Sequence, residues 1–413
     1  MTSSFARKLL LKTLAGLRHG SLKLIDGAET YQFGDPQSDL RASIAVHDER
    51  FFSRVLYGGE DGAGDAYMAG LWSSPDLVSV IRLAIRNLSH LQKGNSAMSW
   101  LSRLVHRLRH LRRANSLEGS RRNIHEHYDL SNEFFRLFLD ENMVYSSAVF
   151  DTPGTTLADA QIEKIDRLCR KLSLERGDQV LEIGTGWGAF ALHAAGRYGC
   201  RVTTTTISRR QFEYSRELFA KSGEPGSRIT LLLEDYRHLK GRFDHIVSIE
   251  MFEAVGLEHY DDFFGACDRL LTADGSMAMQ TITMNERQFA AYHKSSDWIQ
   301  RRIFPGSELA SICEILGSLA RSTGMSLVGL EDIGMHYAQT LAEWRRRFLA
   351  RTGAVRQLGF DEPFLRMWDY YLAYCEGGFR ERYVSDVQLV LSRTGRVPPG
   401  RACPAPRRVT TAT

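Results

Sequence analysis

The stretch Val180–Arg197, VLEIGTGWGAFALHAAGR, constrains the fold of this chain more than any other. A short apolar run leads into a loop that carries Gly184, Gly186 and Gly188, and an alanine-rich helical pattern follows. Glycine permits a sharp turn and lets a ligand approach the backbone, while a helix N-terminus favours negative charge. The stretch therefore predicts the first βαβ unit of a nucleotide-binding sheet.

The same alternation continues along the chain. Apolar or β-branched runs, each read as a strand, are RVTTTTI, ITLLL, FDHIVSI and GSMAMQTIT, with helical patterns such as SRRQFEYSRELFAKSG between them. Strands that alternate with helices of this length predict an α/β fold with a parallel, doubly wound sheet. After residue 340 the pattern becomes mainly helical.

Length and local composition divide the 413 residues into four parts. We predict a small N-terminal accessory domain over residues 1–97 and a basic amphipathic linker over 98–122. A main domain over 123–395 and a disordered Pro/Arg/Thr-rich tail over 396–413 follow. In the linker, leucines and a valine share one helical face, and seven arginines surround it.

Composition excludes several classes of protein. The formal net charge of +4 is too small to indicate a nucleic-acid partner. The six cysteines form no CxxC pair and no cluster with histidine, so we expect neither a metal site nor disulfides, and reduced thiols fit the cytoplasm. No segment reaches the roughly 18–20 apolar residues of a membrane span, so any membrane association would be peripheral.

The residues after the glycine loop discriminate between two ligands. A dinucleotide site requires an acidic residue about 20 positions on, but that region reads TTTTIS over 203–208. Glu234 and Asp235 instead end the third strand, where a carboxylate can accept a hydrogen bond from an adenine amino group. Thr206 and Gln211 offer neutral partners for a ribose. These residues favour S-adenosylmethionine.

Substrate chemistry is expected at the carboxyl ends of the strands. Glu250 and Glu253 follow FDHIVSI, and Gln280 follows GSMAM, so all three are candidates for this chemistry. The alternative for either glutamate is that it only places a negative charge at the N-terminus of a helix. The aromatic-rich segment 127–151 is either core or a lid that excludes water from a reactive sulfonium.

These motifs together resemble the cyclopropane-fatty-acyl-phospholipid synthase family, which includes the mycolic acid cyclopropane synthases. The matching stretches lie in order over about residues 123–395: HYDLSNEFF, VYSSAVF, the glycine loop, TTISRRQ, DYRHL, FDHIVSIEMFEAVG and YLAYCEGGFR. The N-terminal AYMAGLW and DLVSVIRL resemble the accessory domain of the longer bacterial members. The resemblance implies a class I methyltransferase fold with a helical lid, and methyl transfer from S-adenosylmethionine to a cis double bond of a phospholipid acyl chain.

The resemblance also implies roles for individual residues. Besides Asp235, the donor contacts would be Tyr128, Tyr145, Ser146, Gly184, Thr185, Gly186, Thr206, Gln211, Tyr236 and Arg237. In the family, a bicarbonate held by Cys, Glu, His and Tyr removes the proton that closes the ring. Glu253 and Tyr337 match two of these positions, but Ser147 replaces the Cys and Gln280 the His.

The two departures leave the product open. Serine and glutamine can hydrogen-bond an anion, so bicarbonate remains a candidate ligand, but glutamine cannot carry a proton as imidazole does. Cyclopropane is the main interpretation, and a methyl-branched or methylated unsaturated chain is the alternative. Cys375 matches a family cysteine sometimes given a catalytic role, although methyl transfer needs no thiol and a packed thiol is favoured.

A lipid substrate gives the basic linker a function. We expect it to dock on anionic lipids at the inner face of the membrane, and we keep a homodimer as an expectation for assembly. Two other functions stay open: a small-molecule methyltransferase on the same fold, and a lipid-binding protein without catalysis.

Overall fold

The computed structural model describes residues 3–93 and 130–393. These residues form two sheets, one of four strands and one of seven. Within these two ranges, no helix is both long enough and apolar enough to cross a membrane. The basic linker over 98–122, the tail over 396–413 and Tyr128 lie outside the described residues.

The N-terminal unit is a small mixed sheet covered by helices. Its strands run in the order β2-β1-β3-β4, with β1 and β3 parallel and the other pairs antiparallel. The bounds are β1 Ser21–Asp26, β2 Glu29–Gly34, β3 Arg41–Val46, β4 Trp72–Ser73, α1 Ser3–Leu14, α2 Arg50–Met68, α3 Leu77–Arg86 and α4 Leu88–Lys93. The glycine-rich stretch of this region lies within α2, which kinks at Gly59, where φ is 58°.

The larger sheet has the order β10-β11-β9-β8-β5-β6-β7. Its strands are β5 Gln179–Ile183, β6 Arg201–Thr205, β7 Ile229–Leu232, β8 Phe243–Ile249, β9 Leu271–Met284, β10 Met325–Asp332 and β11 Val384–Arg393. The five strands from β9 to β7 are parallel, which confirms the predicted α/β doubly wound sheet.

Two strands at one edge depart from the prediction. β10 and β11 are antiparallel to their neighbours, and β11 lies in the region that the sequence indicated as mainly helical. β11 contains the apolar run VQLVL and is buried along most of its length between β9 and β10. A short apolar run cannot be distinguished from a buried helix by its periodicity, so pairing with β9 decides its structure.

The helices that cover the large sheet follow the usual capping chemistry, with Thr156, Ser208 and Ser311 as side-chain N-caps. Their bounds are α5 Asn132–Arg136, α6 Leu157–Leu172, α7 Ala189–His193, α8 Arg209–Lys221, α9 Gly223–Ser227, α10 Tyr260–Leu270, α11 Glu286–Tyr292, α12 Trp298–Arg302, α13 Ile312–Ser322, α14 Gly334–Ala350, α15 Thr352–Gln357 and α16 Glu362–Arg380.

Helix α16 joins the two units. A Cβ on Gly377 would lie 2.7 Å from Cγ2 of Ile81, so α3 and α16 approach more closely than a larger residue would permit. Beyond the helix, the Glu381 carboxylate accepts hydrogen bonds from Nε of Arg82 and Nε of Arg86, each at 2.7 Å. The N-terminal unit is therefore held against the face of the large domain that contains the candidate site.

Candidate active site

The glycine loop adopts backbone angles that other residues rarely accept. The φ angles are 103° at Gly184, 54° at Gly186 and 93° at Gly188. A Cβ on Gly184 would lie 3.2 Å from Cβ of Met251, and one on Gly188 would lie 2.7 Å from the ring of Phe219. A Cβ on Gly186 would meet no atom within 4 Å, because this residue faces open cavity. The loop thus forms a cradle that a ligand can approach at Gly186.

Buried polar groups surround the cradle. Glu182 accepts a hydrogen bond from Oγ1 of Thr204 at 2.6 Å, and burial raises the pKa of Glu182 to about 8. Asp235 is buried, which would raise its pKa, but hydrogen bonds from the backbone and guanidinium of Arg237 at 2.8–3.0 Å hold the pKa below its usual value. Thr206 donates to Oε1 of Gln211 at 3.0 Å.

The structure brings the predicted donor residues together. Apart from Tyr128, which is outside the described residues, all ten line one cavity: Tyr145, Ser146, Gly184, Thr185, Gly186, Thr206, Gln211, Asp235, Tyr236 and Arg237. An ionised carboxylate at one end and an open glycine cradle suit the adenosine and amino-acid parts of S-adenosylmethionine. When bound, the donor would supply an electrophilic methyl group on a sulfonium.

A second polar cluster lies beside the cradle and is centred on Glu250. This residue follows β8 and has a φ of 47°, which lies in the left-handed region. That conformation is unfavourable by roughly 1–2 kcal/mol for a residue with a side chain. Its Oε1 accepts hydrogen bonds from the backbone N–H of Ser147 and from Nε2 of Gln280, both at 2.7 Å, and its Oε2 accepts one from the hydroxyl of Tyr337 at 2.8 Å. Three donors therefore converge on one carboxylate that lines the cavity.

Two predicted site residues, Ser147 and Gln280, donate hydrogen bonds to this carboxylate from outside the cavity lining. Ser147 and Gln280 are fully buried and do not line the cavity. The hydroxyl of Ser147 donates to the backbone oxygen of Ala148 at 3.0 Å, so only its N–H faces Glu250. The amide of Gln280 also donates to Asp386 at 3.1 Å and accepts from Gln388 at 3.0 Å, which fixes its orientation.

Buried charges determine which carboxyl group carries a proton. Burial raises the pKa of Asp386 well above its ordinary value, Glu250 and Glu253 raise it further, and the Asp386 carboxyl hydrogen-bonds Glu250. Burial also raises the pKa of Glu250, while Lys164, the Ser147 N–H and the Tyr337 hydroxyl oppose this. Within this coupled pair, the donors that converge on Glu250 favour its ionised form and leave the higher pKa to Asp386.

Lys164 contributes the positive charge of this cluster. Its Nζ donates to Oγ of Ser146 at 2.7 Å, and burial lowers its pKa to about 8. Helix α6 buries Lys164 together with Gln161, Asp166 and several apolar residues, so the only signal in the sequence was a lysine on the inward face of this helix. The sequence places Glu250 at the end of a strand without indicating a role for it, and no motif marks Lys164 or Asp386.

Glu253 and Cys375 also line the cavity. Oε1 of Glu253 accepts from the hydroxyl of Thr281 at 3.0 Å and the N–H of Ile282 at 2.6 Å, whereas Oε2 has no hydrogen-bond partner among the described residues. Burial raises the pKa of Glu253 to about 7. Burial also raises the pKa of the Cys375 thiol, so the nucleophilic thiolate is disfavoured there.

The cluster does not fit the bicarbonate that the resemblance made a candidate. The Ser147 N–H and the Tyr337 hydroxyl already bond Glu250, and so does the Gln280 amide at the position of the family's His. A second anion at the same donors would lie against a buried carboxylate, and like charges at short range repel strongly at low dielectric.

The cavity is larger than the donor cradle and the polar cluster need. Its volume is about 1320 Å³, above the roughly 300–1,000 Å³ of a typical small-molecule site. Its lining also includes aromatic side chains such as Phe304, Tyr371 and Phe379. The N-terminal unit contributes apolar residues to the same cavity: Leu10, Leu14, Leu24, Phe51, Trp72 and Leu83. There is room for a donor and for a second, apolar ligand.

Comparison with known proteins identifies the family. The family model for mycolic acid cyclopropane synthetase matches residues 115–389, which is more than half of the chain. The chain belongs to this family. It is accordingly an S-adenosylmethionine-dependent methyltransferase that acts on fatty acyl chains.

Two curated relatives cover most of the chain. Tuberculostearic acid methyltransferase UfaA1 of Mycobacterium tuberculosis is 38% identical over 404 residues, which are 95% of this chain and 92% of that protein. Cyclopropane-fatty-acyl-phospholipid synthase of Escherichia coli is 36% identical over 360 residues, which are 85% of this chain and 88% of that protein.

Solved structures of the mycolic acid cyclopropane synthetase family match the large domain. Mycolic acid cyclopropane synthase CmaA1 complexed with SAH and CTAB is 35% identical with a TM-score of 0.62, over 66% of this chain and 98% of that chain. The cyclopropane synthase MmaA2 from Mycobacterium tuberculosis is 31% identical, with the same TM-score and the same coverage. They support S-adenosylmethionine as the methyl donor of this chain.

Proposed function

We propose that this protein methylates the cis double bond of an unsaturated acyl chain in a membrane phospholipid and releases a methylated unsaturated chain. The observation that carries the proposal is the continuity of one cavity, from the donor cradle past Glu250 into the apolar interior of the N-terminal unit. A long hydrocarbon chain is the ligand that such an apolar extension would accommodate.

The residues of the cavity suit this chemistry. The alkene is the nucleophile, so no base is required for the first step, and positioning with exclusion of water dominates. Tyr145 and Tyr371, whose hydroxyl oxygens lie 2.9 Å apart, line the cavity, and aromatic rings there can stabilise a cation on the chain.

One relative supports the proposed product. The tuberculostearic acid methyltransferase matches both the N-terminal unit and the large domain, and its name refers to a methyltransferase rather than a ring-forming enzyme. Cyclopropane formation is the second candidate, because a cyclopropane-fatty-acyl-phospholipid synthase matches at nearly the same identity.

The decisive experiment incubates the full chain with S-adenosylmethionine carrying a labelled methyl group and vesicles of dioleoyl phospholipid. We expect the released acyl chains to gain one CH2 in mass and proton NMR to show olefinic protons. Ring protons in place of olefinic ones would overturn the proposed product, and the absence of any mass gain would overturn the function. A gain with a free fatty acid but none with vesicles would exclude the phospholipid as the substrate.

A pair of glycine variants tests the donor cradle. Gly186 and Gly223 both have positive φ, 54° and 62°, and a Cβ on either would meet no atom within 4 Å, but only Gly186 lines the cavity. We expect Gly186→Ala to weaken S-adenosylhomocysteine binding at least about tenfold, as measured by calorimetry, because the new methyl group occupies donor space. Gly223→Ala controls for backbone strain and should bind normally. Equal binding by both variants would contradict the cradle.

A further inference from the structure

We propose that the Glu250 carboxylate is the base of the reaction and replaces a bound bicarbonate. The inference rests on the proposed function, since it concerns the proton that must leave the methylated chain. It assigns to Glu250 a role that the resemblance gives to an external anion.

Three hydrogen-bond donors hold the carboxylate of Glu250. An anion that acts as a base in this cavity needs donors that hold its oxygens, and the Ser147 N–H, the Gln280 amide and the Tyr337 hydroxyl all converge on Glu250 at 2.7–2.8 Å. Its carboxylate has the same two-oxygen acceptor geometry as a bicarbonate.

The backbone at Glu250 is strained. Glu250 has a φ of 47°, a conformation that glycine adopts without cost. Strained residues with side chains persist where the surrounding structure imposes them, and they concentrate at functional sites. The backbone N–H of Glu250 donates to the Gln280 oxygen at 2.8 Å, so the turn that aims the side chain is itself fixed.

Glu250 lies close to the donor cradle. β8 pairs with β5 so that Ser248 lies opposite Ile183, which places Glu250 beside the start of the glycine loop. Cβ of the next residue, Met251, lies 3.2 Å from the position of a Cβ on Gly184. Glu250 and the donor cradle therefore share one stretch of cavity wall.

The step balances without a further reagent. The π electron pair of the acyl double bond forms the new C–C bond to the donor methyl, the S–CH3 pair stays on sulfur, and a cation remains on the chain. A C–H bond of the methylated chain then breaks and its electron pair fills the empty orbital, as a double bond or as a ring bond. The proton passes to Glu250, whose negative charge also stabilises the cation before the proton leaves.

The neighbouring charge and hydrogen bonds favour the ionised form of Glu250, which is the form that can accept a proton. Burial raises the pKa of Asp386 well above its ordinary value. Burial raises the pKa of Glu250 too, but the charge of Lys164 and the hydrogen bonds from Ser147, Tyr337 and Gln280 favour its ionised form. The positive charge of the cation then adds to that of Lys164 during the reaction.

The test uses the full chain in CO2-free buffer with oleoyl phospholipid vesicles. Wild-type turnover should be the same with and without added sodium bicarbonate. Glu250→Gln should lower turnover at least about 100-fold, the usual contribution of general-base catalysis, with S-adenosylhomocysteine affinity unchanged. Glu258→Gln, at an exposed glutamate of the following turn, is the matched control and should retain turnover.

Glu250→Gly provides the complementary measurement. Glycine relieves the strained φ and frees the three donors, so sodium bicarbonate should restore turnover by about tenfold or more over the variant alone. Wild-type activity that requires bicarbonate, a Glu250→Gln variant within about fivefold of wild type, or a glycine variant that bicarbonate does not restore would each overturn the assignment. If wild-type protein transfers no label to any unsaturated phospholipid, the proposed function fails instead.

Discussion

The carboxylates of the cavity show how position changes the chemistry of one residue type. Glu182, Glu250 and Glu253 all line the same cavity and are surrounded by protein, yet their partners differ. Glu182 accepts a hydrogen bond from a threonine hydroxyl, and Glu250 accepts hydrogen bonds from three converging donors. One oxygen of Glu253 accepts hydrogen bonds from β9, and its other oxygen has no hydrogen-bond partner among the described residues. Of the three, only Glu250 combines three converging hydrogen-bond donors with a place beside the donor cradle, which suits it to accept a proton.

Glu253 should make stability depend on pH. Burial raises its pKa from 4.5 to about 7, so between these values the native state binds a proton that the unfolded state has lost. The stabilisation is complete below pH 4.5 and is lost as pH rises through 7, by at most about 3 kcal/mol. We expect Glu253→Gln to remove this part of the decline in unfolding free energy between about pH 5 and pH 8, measured by urea denaturation.

The comparison with an exposed carboxylate isolates that effect. Glu258→Gln should leave the pH dependence of the wild type unchanged, because this side chain is exposed. Parallel stability curves for wild type and Glu253→Gln across the same range would show that Glu253 titrates normally.

At the scale of elements, helix α16 both lines the cavity and contacts the N-terminal unit. It brings Tyr371 and Cys375 to the cavity, while Gly377 on the same helix packs against α3 of the N-terminal unit. The stretch YLAYCEGGFR that contributed to the family resemblance therefore includes a packing contact as well as cavity residues.

A methyl group at Gly377 should loosen this junction. Its Cβ would lie 2.7 Å from Cγ2 and 3.0 Å from Cβ of Ile81, and a β-branched side chain has little freedom to move away. We expect Gly377→Ala to lower the unfolding free energy by about 1–3 kcal/mol, although alanine favours helix more than glycine does. Gly353→Ala in α15, where a Cβ would meet nothing within 4 Å, should be neutral or stabilising. Equal stability of the two variants would show that α3 can shift without cost.

At the scale of the whole molecule, the two units enclose the cavity jointly. The large domain supplies the donor cradle and Glu250, and the N-terminal unit supplies much of the apolar lining. The proposed phospholipid substrate would have to reach this cavity from a bilayer, so we propose that the arginines over 98–122 attract anionic lipids.

Vesicle binding tests that proposal. Each arginine near an anionic surface contributes about 1 kcal/mol, so changing Arg103, Arg107 and Arg109 to Gln should weaken binding to phosphatidylglycerol-containing vesicles by about 100-fold. Changing the exposed Arg201, Arg209 and Arg216 provides the matched control. Sedimentation with sucrose-loaded vesicles measures both, and an equal loss for the two triple variants would exclude a special role for this segment.

The sequence by itself determined the donor. The order of strand, glycine loop and helix, the lack of an acid at TTTTIS, and Asp235 at the end of β7 are local features, and they predicted the α/β fold and S-adenosylmethionine. Such features can be read from the sequence because each one depends on residues that are close together in the chain.

Only the tertiary structure decided the role of Glu250. Its partners Ser147, Gln280, Tyr337 and Asp386 come from segments far apart in the chain, and no spacing rule connects them. The edge strands β10 and β11 were unpredictable for the same reason, since pairing with β9 determines them. Ionisation and strand pairing depend on the surroundings that the fold assembles, so the sequence identified the donor and the fold identified the base.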